Sequence, residues 1–119
     1  MKELEWIGSS KKDLMEFPYE VRKDMGHALY EAQQGGKSRK AKSLKGFGSA
    51  NVLEIVCDDS NGTYRTMYTV QFGDVVYVLH AFQKKSKTGI KTTKQDMDLV
   101  TQRLKRAQQL HNDRPKKKK

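Results

Sequence analysis

The stretch NVLEIVCDDSNGTYRTMYTVQFGDVVYVLHAFQ, residues 51–83, decides the fold. Asn51 to Asp58 is rich in aliphatic and β-branched side chains, and Asp59-Ser60-Asn61-Gly62 behind it is a hairpin signal. Tyr64 to Phe72 reads as a second strand and Gly73-Asp74 as a tight two-residue turn. Val75 to Gln83 reads as a third strand, apolar on both faces as an interior strand should be. Alternation places Tyr64, Tyr68, Val70 and Phe72 on one side of the middle strand, and Arg65, Met67, Thr69 and Gln71 on the other. In the preceding strand Leu53, Ile55 and Cys57 make the better core set, which leaves Glu54 and Val56 on the opposite side. With Tyr64 facing helices, Arg65 and Glu54 share an open face.

Working outward, Glu3 to Gly8 reads as a short first strand. Ser10-Lys11-Lys12-Asp13 has capping-box spacing, and a short helix follows through Leu14, Met15 and Phe17. Pro18 fits the first turn of a new helix. Val21, Met25, Ala28, Leu29 and Ala32 recur at three- and four-residue spacing, and Gly35-Gly36 ends the run. The result is an αα-hairpin with one apolar side. Residues 37–49 read as a basic, glycine-punctuated loop, and a second basic segment follows the last strand. Thr93-Lys94-Gln95-Asp96 starts a final helix whose stripe is Met97, Val100, Leu104 and Ala107. The expected order is β-α-α-β-β-β-α. This is an α+β domain with a small, mainly antiparallel sheet, the αα-hairpin on one side and a C-terminal helix. Residues 1–111 form the expected single domain and 112–119 a basic, disordered tail.

The chain has 119 residues, with 24 Lys+Arg against 14 Asp+Glu. Residues 1–34 hold five basic and seven acidic side chains, net −2, so residues 35–119 hold nineteen and seven, net +12. Such asymmetry points to a polyanion as partner. One cysteine, Cys57, permits neither an internal disulfide nor a multi-cysteine metal site, and it reads as a core residue. No apolar run reaches the length of a membrane helix, and Met1 to Trp6 lacks the pattern of a secretory signal, so no membrane partner and a cytoplasmic location are expected. There is no phosphate-binding GxxxxGK[ST] loop, HExxH or GxSxG motif, and His27, His80 and His111 are too scattered for zinc. What remains is a basic constellation around the three strands. Glu54 beside Arg65 reads either as an ion pair or as a general base next to a phosphate clamp. His80 reads either as an acid or base, or as a buried, hydrogen-bonded imidazole.

Val52-Leu53-Glu54-Ile55, Tyr64-Arg65-Thr66-Met67-Tyr68 and the run from Tyr77 through His80 to Ser86 together resemble the RelE/HigB toxins of bacterial type II toxin–antitoxin modules. Leu44 to Gly48 and Lys87 to Thr92 resemble its phage-derived branch, and the likeness runs from about Trp6 to Ala107. The resemblance implies the RelE-like fold. It also implies a ribosome-dependent endoribonuclease that cuts messenger RNA, restrained by a cognate helix-turn-helix antitoxin. The chemistry of such toxins needs neither metal nor cofactor: the ribose 2′-hydroxyl attacks the adjacent phosphate. Arg65 matches the family's strand arginine, and Lys84 and Lys85 match the basic position after the last strand. Lys40, Lys42, Lys45, Lys87 and Lys91 are the expected RNA contacts. Some RelE toxins carry a lysine pair on the strand before the arginine and a catalytic tyrosine near the end. Here that strand reads Glu54-Ile55-Val56, and no tyrosine follows Tyr77. Glu54, His80 and a lysine of the 84–91 segment therefore compete as the base. Two other readings stand beside this one: a non-catalytic nucleic-acid-binding module, and a ParE-like gyrase poison on the same fold.

Overall fold

The computed structural model describes residues 1–84 and 92–115. At its centre are β3 (Val52–Asp59), β4 (Gly62–Thr69) and β5 (Val75–Lys84), following β1 (Glu3–Trp6) and β2 (Ala41–Ser43) in the chain. The helices are α1 (Ser10–Met15), α2 (Tyr19–Gln33) and α3 (Lys94–Asn112). The sheet order is β1-β5-β4-β3-β2, with β1 parallel to β5 and every other pair antiparallel.

β3 and β4 pair from Val52↔Thr69 to Asp59↔Gly62 around the expected hairpin. Gly62 sits at φ +139°, and a Cβ there would stand 3.0 Å from the Lys84 carbonyl oxygen, so the turn requires glycine. β4 ends earlier than its sequence suggests. The Thr69 hydroxyl donates to the Ala50 carbonyl at 2.7 Å and accepts from the Gln71 amide at 3.1 Å, which turns the chain out of the ladder. The two-residue turn expected at Gly73-Asp74 is therefore a connection over residues 70–74. Phe72 crosses to the other face, where its ring meets Tyr77 edge-on at 5.5 Å. The basic loop at 37–49 also needs correction, because it contains β2, paired from Ala41↔Ile55 to Ser43↔Leu53. A three-residue strand with one buried side chain has no period to detect.

The αα-hairpin forms and covers one face. Val21, Met25, Leu29 and Ala32 of α2 pack on Leu53, Ile55, Cys57, Tyr64 and Tyr68. Each large aliphatic side chain buried there contributes roughly 1.5–3 kcal/mol. Burial raises the pKa of the Cys57 thiol, as befits a core residue rather than a nucleophile. Ser10 does not cap α1 but begins it, and its buried hydroxyl donates to the Val78 carbonyl at 3.1 Å.

The opposite face is not open, contrary to expectation. Val100, Leu104 and Ala107 of α3 pack there on Val52, Met67, Val75, Tyr77 and Leu79. The apolar stripe of α3 needs a partner, and this half of the face supplies one. Arg103 ties the layers together, donating from Nη1 to the Leu79 carbonyl at 3.0 Å and from Nη2 to the Ser9 hydroxyl at 3.1 Å. Beyond α3, Arg114 forms ion pairs with Glu3 and Glu5. The last lysines of the tail lie outside the described residues. Among the described residues, no helix is long and apolar enough to cross a membrane.

Candidate active site

Residues opposite each other on adjacent strands share a face, so the ladders map the surface beside α3 in rows. One row runs Lys42–Glu54–Met67–His80, the next Val56–Arg65–Phe82, and the third Asp58–Thr63–Lys84. Glu54 and Arg65 are diagonal neighbours in this grid. Arg65 Nη1 donates to Glu54 Oε2 at 2.9 Å, and the two residues are only 7% and 2% exposed. The Thr92 hydroxyl donates to the same carboxylate oxygen at 3.1 Å. The pairing of Glu54 with Arg65 expected from the alternation is therefore present, but in the interior.

His80 reaches this face through an irregularity. Met67 pairs with His80, yet Tyr68 pairs with Val78, so the β5 register steps by one residue at Leu79. Such a bulge re-aims the side chains that follow it. Leu79 packs in the cluster beneath α3, and His80 on the same face meets Asp96 of α3, with Nε2 and Oδ1 2.9 Å apart. Unbroken alternation from Val76 and Val78 would have sent His80 under the αα-hairpin and Ala81 to α3. Instead Ala81 lies in the hairpin core with Val76 and Val78.

The bulge also turns Phe82, whose ring stacks on His80 with centroids 4.6 Å apart. Because a carboxylate can only accept, Nε2 is the ring nitrogen that donates to Asp96. Nδ1 is buried with no hydrogen-bond partner among the described residues. Asp96 is itself held: its Oδ2 accepts from the Thr93 hydroxyl at 2.7 Å, and its backbone amide donates to Thr93 Oγ1 at 3.1 Å.

The structure thus brings Glu54, Arg65 and His80 together, with Lys84 half-buried one row beyond Arg65 and two beyond His80. Lys42 is exposed at the outer end of Glu54's row, and Lys45 is exposed in the loop after β2. Lys40 points elsewhere, lying 3.9 Å from Asp24 of α2. Lys85, Lys87 and Lys91 lie outside the described residues. Sequence reasoning missed Thr92, Asp96 and Phe82 as neighbours of these groups. The Thr93-x-x-Asp96 spacing marks the start of a helix, but nothing local connects Asp96 to a histidine sixteen positions earlier. Among the described residues no cluster of three or more His, Cys, Asp or Glu could hold a metal ion.

A profile of the family described as phage derived protein Gp49-like matches residues 12–105. The chain belongs to that family. No curated protein matches this Gp49-like chain. Among solved structures, the isolated E. coli RelE toxin is similar, with a TM-score of 0.57 and 17% identity over 86% of this chain and 98% of that one. The Gp49-like chain therefore has the RelE fold, and both the phage-derived family and the fold implied by the sequence resemblance are found. The Gp49-like match runs from within α1 through most of α3 and so includes Glu54, Arg65, His80 and Asp96.

Proposed function

We propose that the chain is the toxin of a toxin–antitoxin pair and acts in the cytoplasm as a ribosome-dependent endoribonuclease on messenger RNA. The observation that carries this reading is the convergence of Arg65, Glu54 and a bulge-directed His80 on one face, with Lys84 beside them. Family membership and the RelE fold support it.

In the proposed reaction the ribose 2′-hydroxyl gives its proton to a base, its oxygen attacks the adjacent phosphorus and the P–O5′ bond breaks; the departing 5′-oxygen takes up a proton from an acid or from water, giving a cyclic phosphate and a 5′-hydroxyl. Arg65 stabilises the charge that builds on the phosphoryl oxygens, with Lys84 as a second cation. Glu54 already accepts from Arg65 and Thr92 through one oxygen, which suits holding the guanidinium better than taking a proton. His80, oriented by Asp96, is the better base for the 2′-hydroxyl, in the manner of other carboxylate–imidazole pairs, and docking of the messenger would have to uncover its buried Nδ1. The exposed Lys42 and Lys45, together with the lysines at 85, 87 and 91, would grip ribosomal RNA. The partner in restraint is an antitoxin.

The test is inducible expression followed by mapping of cut sites on ribosome-bound messenger. Wild type should arrest growth and cut. His80→Asn should reduce the single-turnover rate by about 10²- to 10⁴-fold. Glu54→Met with Arg65→Met should abolish cutting in a folded chain. Arrest with intact messenger and signs of DNA damage would point to gyrase instead. RNA binding without cutting would leave a binding module.

A further inference from the structure

A groove on the side of the molecule away from Arg65 takes no part in that chemistry. It encloses about 380 Å³ between β1, α1 and α2. Its apolar lining is Leu4 and Trp6 of β1, Leu14 and Met15 of α1, and Leu29 of α2. Three features there are unexplained by the fold itself. First, Met15 is 53% exposed and Tyr19 at its rim 65%, unusually high for large apolar side chains. Second, Gly26 lies in the middle of α2, where glycine weakens a helix, yet among the described residues a Cβ there would meet nothing within 4 Å. The protein's own packing does not require it, whereas close approach by another backbone would. Third, Arg22 Nε is buried with no hydrogen-bond partner among the described residues, its guanidinium lying over the Tyr19 ring at 5.8 Å. The groove's charged lining among the described residues is Arg22 and Lys23, although residues 1–34 are net acidic.

We propose that this groove docks an amphipathic helix of a partner protein, whose apolar side chains fill it while a carboxylate flanking them engages Arg22. Helix-in-groove recognition needs an apolar trough with a fixed polar contact at its edge, and Gly26 provides the close approach. Naming that partner as the antitoxin rests on the toxin reading above; the chemistry of the groove does not. The occupant would sit across the sheet from Arg65, on the face covered by α1 and α2.

Trp6 is the chain's single tryptophan, so its fluorescence reports on the groove alone. The full-length protein is titrated with a leucine-striped helical peptide of about 15 residues bearing one glutamate at the stripe edge, and with its glutamine twin. The expected result is a saturable shift in Trp6 emission, with the glutamate peptide about tenfold tighter. Arg22→Gln should erase that difference, and Met15→Asp or Gly26→Leu should abolish binding in chains that remain folded by circular dichroism. Gly26→Ala should raise the thermal midpoint while weakening the peptide. Absence of any Trp6 response, equal affinity for the two peptides, or a response to protein concentration alone would overturn the proposal; the last would make a second copy the occupant. Since the readout involves no cleavage, a chain that cuts no RNA can still bind the peptide, and one that cuts can still fail to bind.

Discussion

Arg65 and Glu54 are two charges in a place where neither is tolerable without the other. Removing one leaves the other buried and uncompensated, at a cost of about 3–5 kcal/mol, whereas two apolar replacements of similar size are often neutral. Arg65→Ala alone should therefore melt well below wild type, and Glu54→Met with Arg65→Met should recover most of that loss in a thermal denaturation series. Tyr68 presents the converse case, a buried hydroxyl with no hydrogen-bond partner among the described residues. Tyr68→Phe should gain about 1 kcal/mol in urea unfolding at neutral pH. Burial, with a smaller contribution from Glu31, raises the Tyr68 pKa to about 12. The folded state thus keeps a proton that the unfolded chain releases near 10, so stability falls as pH rises from about 10 to about 12. Tyr68→Phe should flatten that alkaline limb, and an unchanged limb would assign it to Tyr64 and Tyr77, whose pKa values burial also raises. The Glu54–Arg65 neighbourhood was legible in the sequence because side-chain alternation is a local property of strands. Its burial was not, because that depends on where α3 packs.

At the scale of elements, the first turn of α3 does two jobs. Thr93 caps it through the Asp96 amide, and Asp96 in turn holds His80. Thr93→Ala should cost about 1 kcal/mol in a thermal melt. It should also slow single-turnover cleavage by loosening Asp96, and a normal rate would separate the cap from the site. β3, β4, β5 and all three helices could be read from period and turn residues, since each spans at least one full repeat of its pattern. The bulge at Leu79 could not. Val75 to His80 is apolar or aromatic at every position, so the alternation that would betray a step of one residue is absent. The sequence therefore predicted the strand carrying His80 without predicting which way His80 points.

Over the whole molecule the charge separates into a near-neutral first third and a strongly basic remainder. If that remainder grips RNA, ribosome binding should weaken steeply with salt, and the slope of log K against log salt should fall by roughly one unit or less for each phosphate contact removed. Lys42→Ala should show this reduction in salt-dependent pelleting with ribosomes, while Lys117→Ala should change cleavage by less than about twofold. β1, by contrast, carries no basic residue, and its importance is one of order. It pairs in parallel with β5, joining Glu3–Trp6 to Val75–Val78, so the sheet can be completed only after every other strand has been made. Such distant pairing is slow, because the intervening chain must first be brought together. During synthesis the N-terminal segment would wait as an unpaired ribbon, and the face bearing Arg65 would mature only once β5 and α3 had emerged. A protein proposed to attack messengers on ribosomes would then be harmless to the one that makes it until β5 and α3 have left that ribosome.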